Sequence, residues 1–140
     1  MKKLKIFLAV ACLMVTVAAQ PAFAANTSYK FKFNSINDIQ PSDYGEKDDN
    51  SQYWYLSLDS YNDYYNRSNT LSASNIFGCR LHRDDYDSID TYRLHKSYGS
   101  SFKYHYNTST SKGESMFLKG QKDDSSTSPY TLYVSGRFCP

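Results

Sequence analysis

The sequence predicts an all-β fold, an antiparallel β-sandwich of about seven strands, on three observations. After the first 25 residues, apolar side chains recur with a period of two, the spacing of a strand with one buried face. No ten-residue stretch of that region carries a helical pattern. Asn, Asp, Ser, Gly and Pro fill the segments between the alternating runs, which is turn chemistry. Short strands of this kind bury their apolar faces by packing two sheets together, and a small β-barrel is the alternative solution.

In chain order, Tyr29, Phe31 and Phe33 alternate with Lys30, Lys32 and Asn34, and Trp54, Leu56 and Leu58 with Tyr55, Ser57 and Asp59. Phe77, Cys79 and Leu81 alternate with Gly78, Arg80 and His82. Tyr92 and Leu94 alternate with Arg93 and His95, and Phe102, Tyr104 and Tyr106 with Lys103 and His105. Met116 and Leu118 lie between Ser115, Phe117 and Lys119, and Leu132, Val134 and Gly136 alternate with Thr131, Tyr133, Ser135 and Arg137. Two long stretches are left over, residues 40–52 and 60–75, and both read as polar connections of the length that is commonly functional.

Residues 1–24 have the layout of a signal peptide. Lys2, Lys3 and Lys5 start it, residues 6–19 are almost wholly apolar, and Ala22-Phe23-Ala24 places small residues at a cleavage site before Ala25. The apolar run is shorter than the roughly 18 to 20 residues of a membrane-spanning helix. The sequence thus predicts a secreted chain whose residues 25–140 form a single domain, extracellular for one type of cell envelope and periplasmic for the other. No membrane span is expected in the mature part.

Export changes the charge balance. The whole chain has 16 basic and 14 acidic residues. The leader holds three of those lysines and no acid, so the mature part carries 13 basic against 14 acidic side chains. Nucleic acid is not an expected partner, because such binding concentrates many cations on one face. Of three cysteines, Cys12 leaves with the leader. Cys79 and Cys139 remain, and an oxidising compartment predicts one disulfide between them, with two reduced thiols as the alternative.

Tyrosine is the most unusual feature, at 14 of 140 residues with 8 Phe and 1 Trp beside it. Tyr53 and Tyr55 are expected to point away from the face that holds Trp54. Tyr61, Tyr64 and Tyr65 fall in the longest loop, among Asn62, Asp63, Asn66 and Arg67. Aromatic faces stack on the C–H faces of sugars, while hydroxyl, amide and guanidinium groups satisfy the sugar hydroxyls, and the same residue types form adaptable protein-binding surfaces. Tyr53, Tyr55, Tyr61, Asn62, Tyr64, Tyr65 and Arg67 are therefore the candidate ligand-binding residues. The plainer reading makes tyrosine a strand residue with a half-buried ring.

Other constellations carry less. The pairs Asp48-Asp49, Asp84-Asp85 and Asp123-Asp124 lack calcium-loop spacing and each has a basic neighbour, so they read as solvated turns. His82, His95 and His105 all fall on the polar phase of their runs and read as surface residues rather than a zinc site. No nucleophile elbow, metalloprotease helix or phosphate-binding glycine loop is present. The chain reads as a non-enzyme with no cofactor and no metal.

Three segments, Tyr29-Lys30-Phe31-Lys32-Phe33, Tyr53-Trp54-Tyr55-Leu56 and Tyr133-Val134-Ser135-Gly136-Arg137-Phe138, give the chain a pattern that resembles small secreted, largely uncharacterised β-domain proteins of Gram-positive bacteria. The resemblance implies a leader followed by one short β domain and carries no catalytic residues across. A weaker similarity runs to secreted bacteriocins of the β-sandwich type. The expected function is a non-catalytic binding module for an extracellular carbohydrate or protein ligand, such as cell-surface material. The rival is a secreted bacteriocin-like antagonist toxin.

Overall fold

Each alternating run becomes a strand, and one further strand joins them. The computed structural model describes residues 26–59, 70–84 and 86–140. Its strands are β1 (Thr27–Phe33), β2 (Ile39–Glu46), β3 (Tyr53–Leu58), β4 (Phe77–His82), β5 (Arg93–His95), β6 (Gly99–His105), β7 (Ser115–Lys122) and β8 (Leu132–Cys139). They form two four-stranded antiparallel sheets, β1-β8-β3-β6 (sheet A) and β2-β7-β4-β5 (sheet B), and no closed barrel. Pairing runs β1 with β8, β2 with β7, β3 with β6 and β4 with β5. That is one long antiparallel hairpin rolled over on itself, the jelly-roll connectivity of a β-sandwich.

The core is where the inward phases of the two sheets meet. Sheet A contributes Tyr29, Phe31, Phe33, Trp54, Leu56, Leu58, Leu132, Val134 and Phe138, and sheet B contributes Phe77, Cys79, Leu81, Met116 and Leu118. Burying each large apolar side chain stabilises the fold by roughly 1.5–3 kcal/mol relative to exposure. Rings cluster at the β1 end, where Phe31 lies 5.4 Å from Phe33 and 6.1 Å from Phe77. β1 and β2 close one side of the sandwich through a side chain: Gln40 Nε2 donates to Lys32 O at 2.7 Å, and Lys32 N donates to Gln40 Oε1 at 3.3 Å.

Three sequence expectations are corrected. Residues 40–52 are not simply a connection, because β2 occupies their first half. Its sequence, Ile-Gln-Pro-Ser-Asp-Tyr-Gly-Glu, has no alternation, since it is an edge strand with a register shift between Pro41 and Tyr44. Proline is tolerated at such an edge, where its missing N–H disrupts no central ladder.

β5 has the phase opposite to that expected. His95 is buried and Leu94 is 51 % exposed. His82 is also buried, beneath Phe117, whose ring stacks on it at 5.6 Å. Of the three histidines expected on the surface, only His105 is exposed.

The expected Cys79–Cys139 bridge is not formed, and both thiols are free. Cys79 points into the core from β4 of sheet B. Cys139 lies directly opposite Tyr55, on the outward phase of β8 in sheet A. A disulfide needs Cβ atoms about 4 Å apart, and a sheet separates these two side chains.

Candidate functional site

The outer face of sheet A collects aromatic and polar side chains in register. Along β3 the phase is strict: Trp54, Leu56 and Leu58 are buried, so Tyr53, Tyr55 and Ser57 face out. Pairing with β6 sets Tyr53 opposite His105 and Tyr55 opposite Lys103. The Lys103 ammonium lies 4.0 Å from the Tyr53 ring centroid and 5.8 Å from that of Tyr55. The His105 ring meets Tyr53 edge-on at 5.0 Å. Lys103 and His105 therefore already dress Tyr53, whereas Tyr55 borders an opening.

That opening is a cleft of about 260 Å³ lined by Asn26, Tyr55, Ser57, Asp59, Ser101 and Arg137, with Leu56 and Ser100 completing its wall. A break in the ladder creates it. β3 shifts register against β6 between Leu56 and Leu58. Arg137 N then donates to the Ser57 hydroxyl at 2.9 Å, and the Tyr29 hydroxyl donates to Ser57 O at 2.7 Å from the core side. Pairing with β6 resumes at Leu58 and with β8 at Asp59, whose N donates to Ser135 O at 2.9 Å. Gly136 makes this approach feasible, since a Cβ there would lie 2.0 Å from Ser57 O. The result sets one aromatic ring beside a guanidinium, a carboxylate, hydroxyls and a carboxamide. Such a set can accept and donate to several hydroxyl groups of one ligand while the ring covers an apolar face.

Of the described residues singled out from sequence, Tyr53 and Tyr55 share this face, and of these two Tyr55 lines the cleft. Tyr61, Asn62, Tyr64, Tyr65 and Arg67 lie outside the described residues. Asn26, Ser57, Asp59, Ser101 and Arg137 were not singled out. Ser57 and Asp59 follow Tyr55 on the same phase of one run, so a period-two reading could have found them. Arg137 needs the β3–β8 pairing, which no local pattern encodes.

A second polar cluster lies inside the sandwich. Asp90, in the β4–β5 connection, accepts from Trp54 Nε1 at 2.8 Å, and Arg93 donates to it from Nε at 3.0 Å and Nη2 at 2.6 Å. Close by, Cys79 Sγ and the Tyr104 hydroxyl both contact His95 Nε2, at 3.7 Å and 3.4 Å. A cysteine beside a histidine has the composition of a nucleophilic dyad, but the electrostatics run the other way. Burial pushes the Cys79 thiol up, and the Asp90 charge adds to that. Burial, helped by Arg93, takes the His95 imidazole down to about 4. An activated pair needs a thiolate beside an imidazolium. Here a neutral thiol meets a neutral ring inside the core.

One member of each acidic pair, Asp49, Asp84 and Asp123, accepts from backbone N–H groups two or three residues on, although Asp123 is buried rather than solvated, and Asp85 lies outside the described residues. Asp84 Oδ1 accepts from the backbone N–H groups of Tyr86 and Asp87, which holds its carboxyl below the usual range. Asp49 is held low by the Lys47 ammonium at 2.9 Å, and Asp123 accepts from Ser125. Among the described residues no three His, Cys, Asp or Glu side chains converge as a metal site, and no helix is long and apolar enough to cross a membrane. No protein-family profile matches the chain, and no curated protein matches it.

Proposed function

We propose that this chain is an exported, non-catalytic binding module that takes carbohydrate-bearing cell-surface material into the cleft on the outer face of sheet A. Export rests on the leader layout of residues 1–24. Ligand class rests on one observation: the Tyr55 ring borders a cleft whose other walls are Asn26, Ser57, Asp59, Ser101 and Arg137. A ring face and convergent hydrogen-bonding groups are what a sugar residue needs, because each of its faces is apolar and its rim is hydroxylated. The fold itself contributes no argument, since sandwiches host many unrelated functions.

The test is a glycan and cell-wall array probed with the purified mature protein and two variants. Tyr55→Ala is expected to lose most of the binding. Tyr53→Ala is expected to keep most of it, because Lys103 and His105 already occupy the Tyr53 ring. Equal loss in both variants would move the site away from the cleft. A wild-type protein that binds nothing on the array and inhibits the growth of related strains would overturn the reading in favour of an antagonist.

A further inference from the structure

The opposite face of the sandwich carries a second cleft of a different character. It lies on the outer face of sheet B, has a volume of about 360 Å³, and is lined by Ile39, Arg80, His82, Tyr92, Lys119 and Gln121, with Gly120 at its floor. No carboxylate lines it among the described residues. Arg80 of β4 stands directly opposite Lys119 of β7 in the ladder. Like charges at directly opposed positions destabilise a sheet, and here they sit on its two central strands. His82 follows Arg80 on the same phase of β4 and lines the same cleft.

Arg80 has little to offset its charge. It takes part in none of the ion pairs among the described residues, and its Nε is buried without a hydrogen-bond partner. Its one specific contact among those residues is the Tyr92 ring, 5.7 Å from the guanidinium carbon. Tyr92 lies across β4 because Gly78 leaves room, a Cβ there falling 1.7 Å from the Tyr92 hydroxyl. Burial, and then Asp123, keep that phenol protonated and so uncharged. Ile39, 56 % exposed, and the Tyr92 ring give the cleft an apolar border.

We propose that this cleft binds a phosphate group, carried by a ligand whose adjoining part rests on Ile39 and Tyr92. Two cations facing each other in register suit a group that spreads up to two negative charges over several oxygens, more than a singly charged carboxylate. Arginine supplies directed donors to such a group and lysine a mobile point charge. The site is independent of the sheet A cleft, which lies on the other side of the core.

The experiment titrates the mature protein with inorganic phosphate, glycerol 3-phosphate and acetate while following its amide and arginine side-chain NMR signals. Saturable shifts at Arg80, His82 and Lys119 with both phosphate probes, and none with acetate, are expected. Lys119→Gln and Arg80→Gln are each expected to weaken glycerol 3-phosphate roughly tenfold, the scale of one lost charge-assisted hydrogen bond. Should Arg80→Gln fail to fold, Arg80→Lys, which keeps the charge, and Lys119→Gln decide the matter. Tyr55→Ala should leave these titrations unchanged. Acetate shifts equal to those of phosphate would overturn the choice of ligand. Non-saturating shifts, or equal affinity in wild type and Lys119→Gln, would overturn the site.

Discussion

Trp54 and Asp90 are joined by a buried hydrogen bond of 2.8 Å, and through it sheet A is tied to the connection that leads into β5 of sheet B. Asp90 then grips Arg93 at the start of β5, and the Arg93 guanidinium returns to sheet A by lying 4.7 Å from the Tyr104 ring. β5 is only three residues long, too short to hold its place by ladder bonds alone. Side chains fix it instead.

Replacing Asp90 with alanine is therefore expected to cost about 3 kcal/mol, because it leaves the indole N–H and the Arg93 charge without their partner. An asparagine at this position keeps an acceptor for Trp54 but not the charge, so Asp90→Asn is expected to cost roughly half as much. Chemical denaturation of both variants gives the values. An alanine variant as stable as the wild type would mean that the network is incidental.

His95 makes stability depend on pH. Its folded-state value near 4 lies below the ordinary 6.5, so the unfolded chain binds the proton more readily. Stability is thus full above about pH 6.5 and is lost as pH falls toward 4. Treated as a single site, the loss between pH 7 and pH 5 is about 2 kcal/mol. Denaturation curves at these two pH values, for wild type and His95→Gln, test it, and the variant should show a clearly smaller drop.

Seven of the eight strands were legible because their inward phase is made of large apolar residues and their outward phase of polar ones. Tyr29-Lys30-Phe31-Lys32-Phe33 needs no tertiary information to be read as a half-buried strand. β2 was not legible, because at an edge its partner is on one side only and its register shift cancels the period. Leu94 and His95 were misread in phase for a related reason. Three residues give too short a window, and His95 is held inside by Cys79 and Tyr104 rather than by its hydropathy. The outward direction of Tyr55 was legible from its phase. Arg137, 82 positions away along the chain, reaches the cleft that Tyr55 lines only through strand order.

The free cysteines give a direct chemical check. A maleimide added to the native protein without reductant is expected to label Cys139 slowly, since burial and then Asp48 and Asp49 raise its thiol. Cys79, fully enclosed, should stay unlabelled until denaturant is added, after which both react. A mature mass two hydrogens lighter, with neither thiol labelled in denaturant, would restore the bridge.

Gly136 couples the fold to the cleft. It faces inward on β8, where β3 comes so near that a Cβ would lie 2.0 Å from Ser57 O and 2.8 Å from the Tyr29 hydroxyl. The Tyr29 hydroxyl could swing aside at the cost of its 2.7 Å hydrogen bond to Ser57 O. The carbonyl is backbone and cannot yield without moving β3. Gly136→Ala is therefore expected to destabilise the protein by about 3 kcal/mol, the upper range for an added methyl in a packed interior. It should also push Ser57 and Asp59 away from Arg137 and so weaken ligand binding in whatever fraction remains folded. Gly120→Ala serves as the comparison. Gly120 lies on the inner face of sheet B, and a Cβ there would first meet the Phe31 and Phe77 rings, at 2.7 and 2.8 Å. That variant is expected to lose stability yet keep the cleft's affinity when measured on folded protein. Equal affinity in both variants would show that the β3–β8 approach does not shape the site.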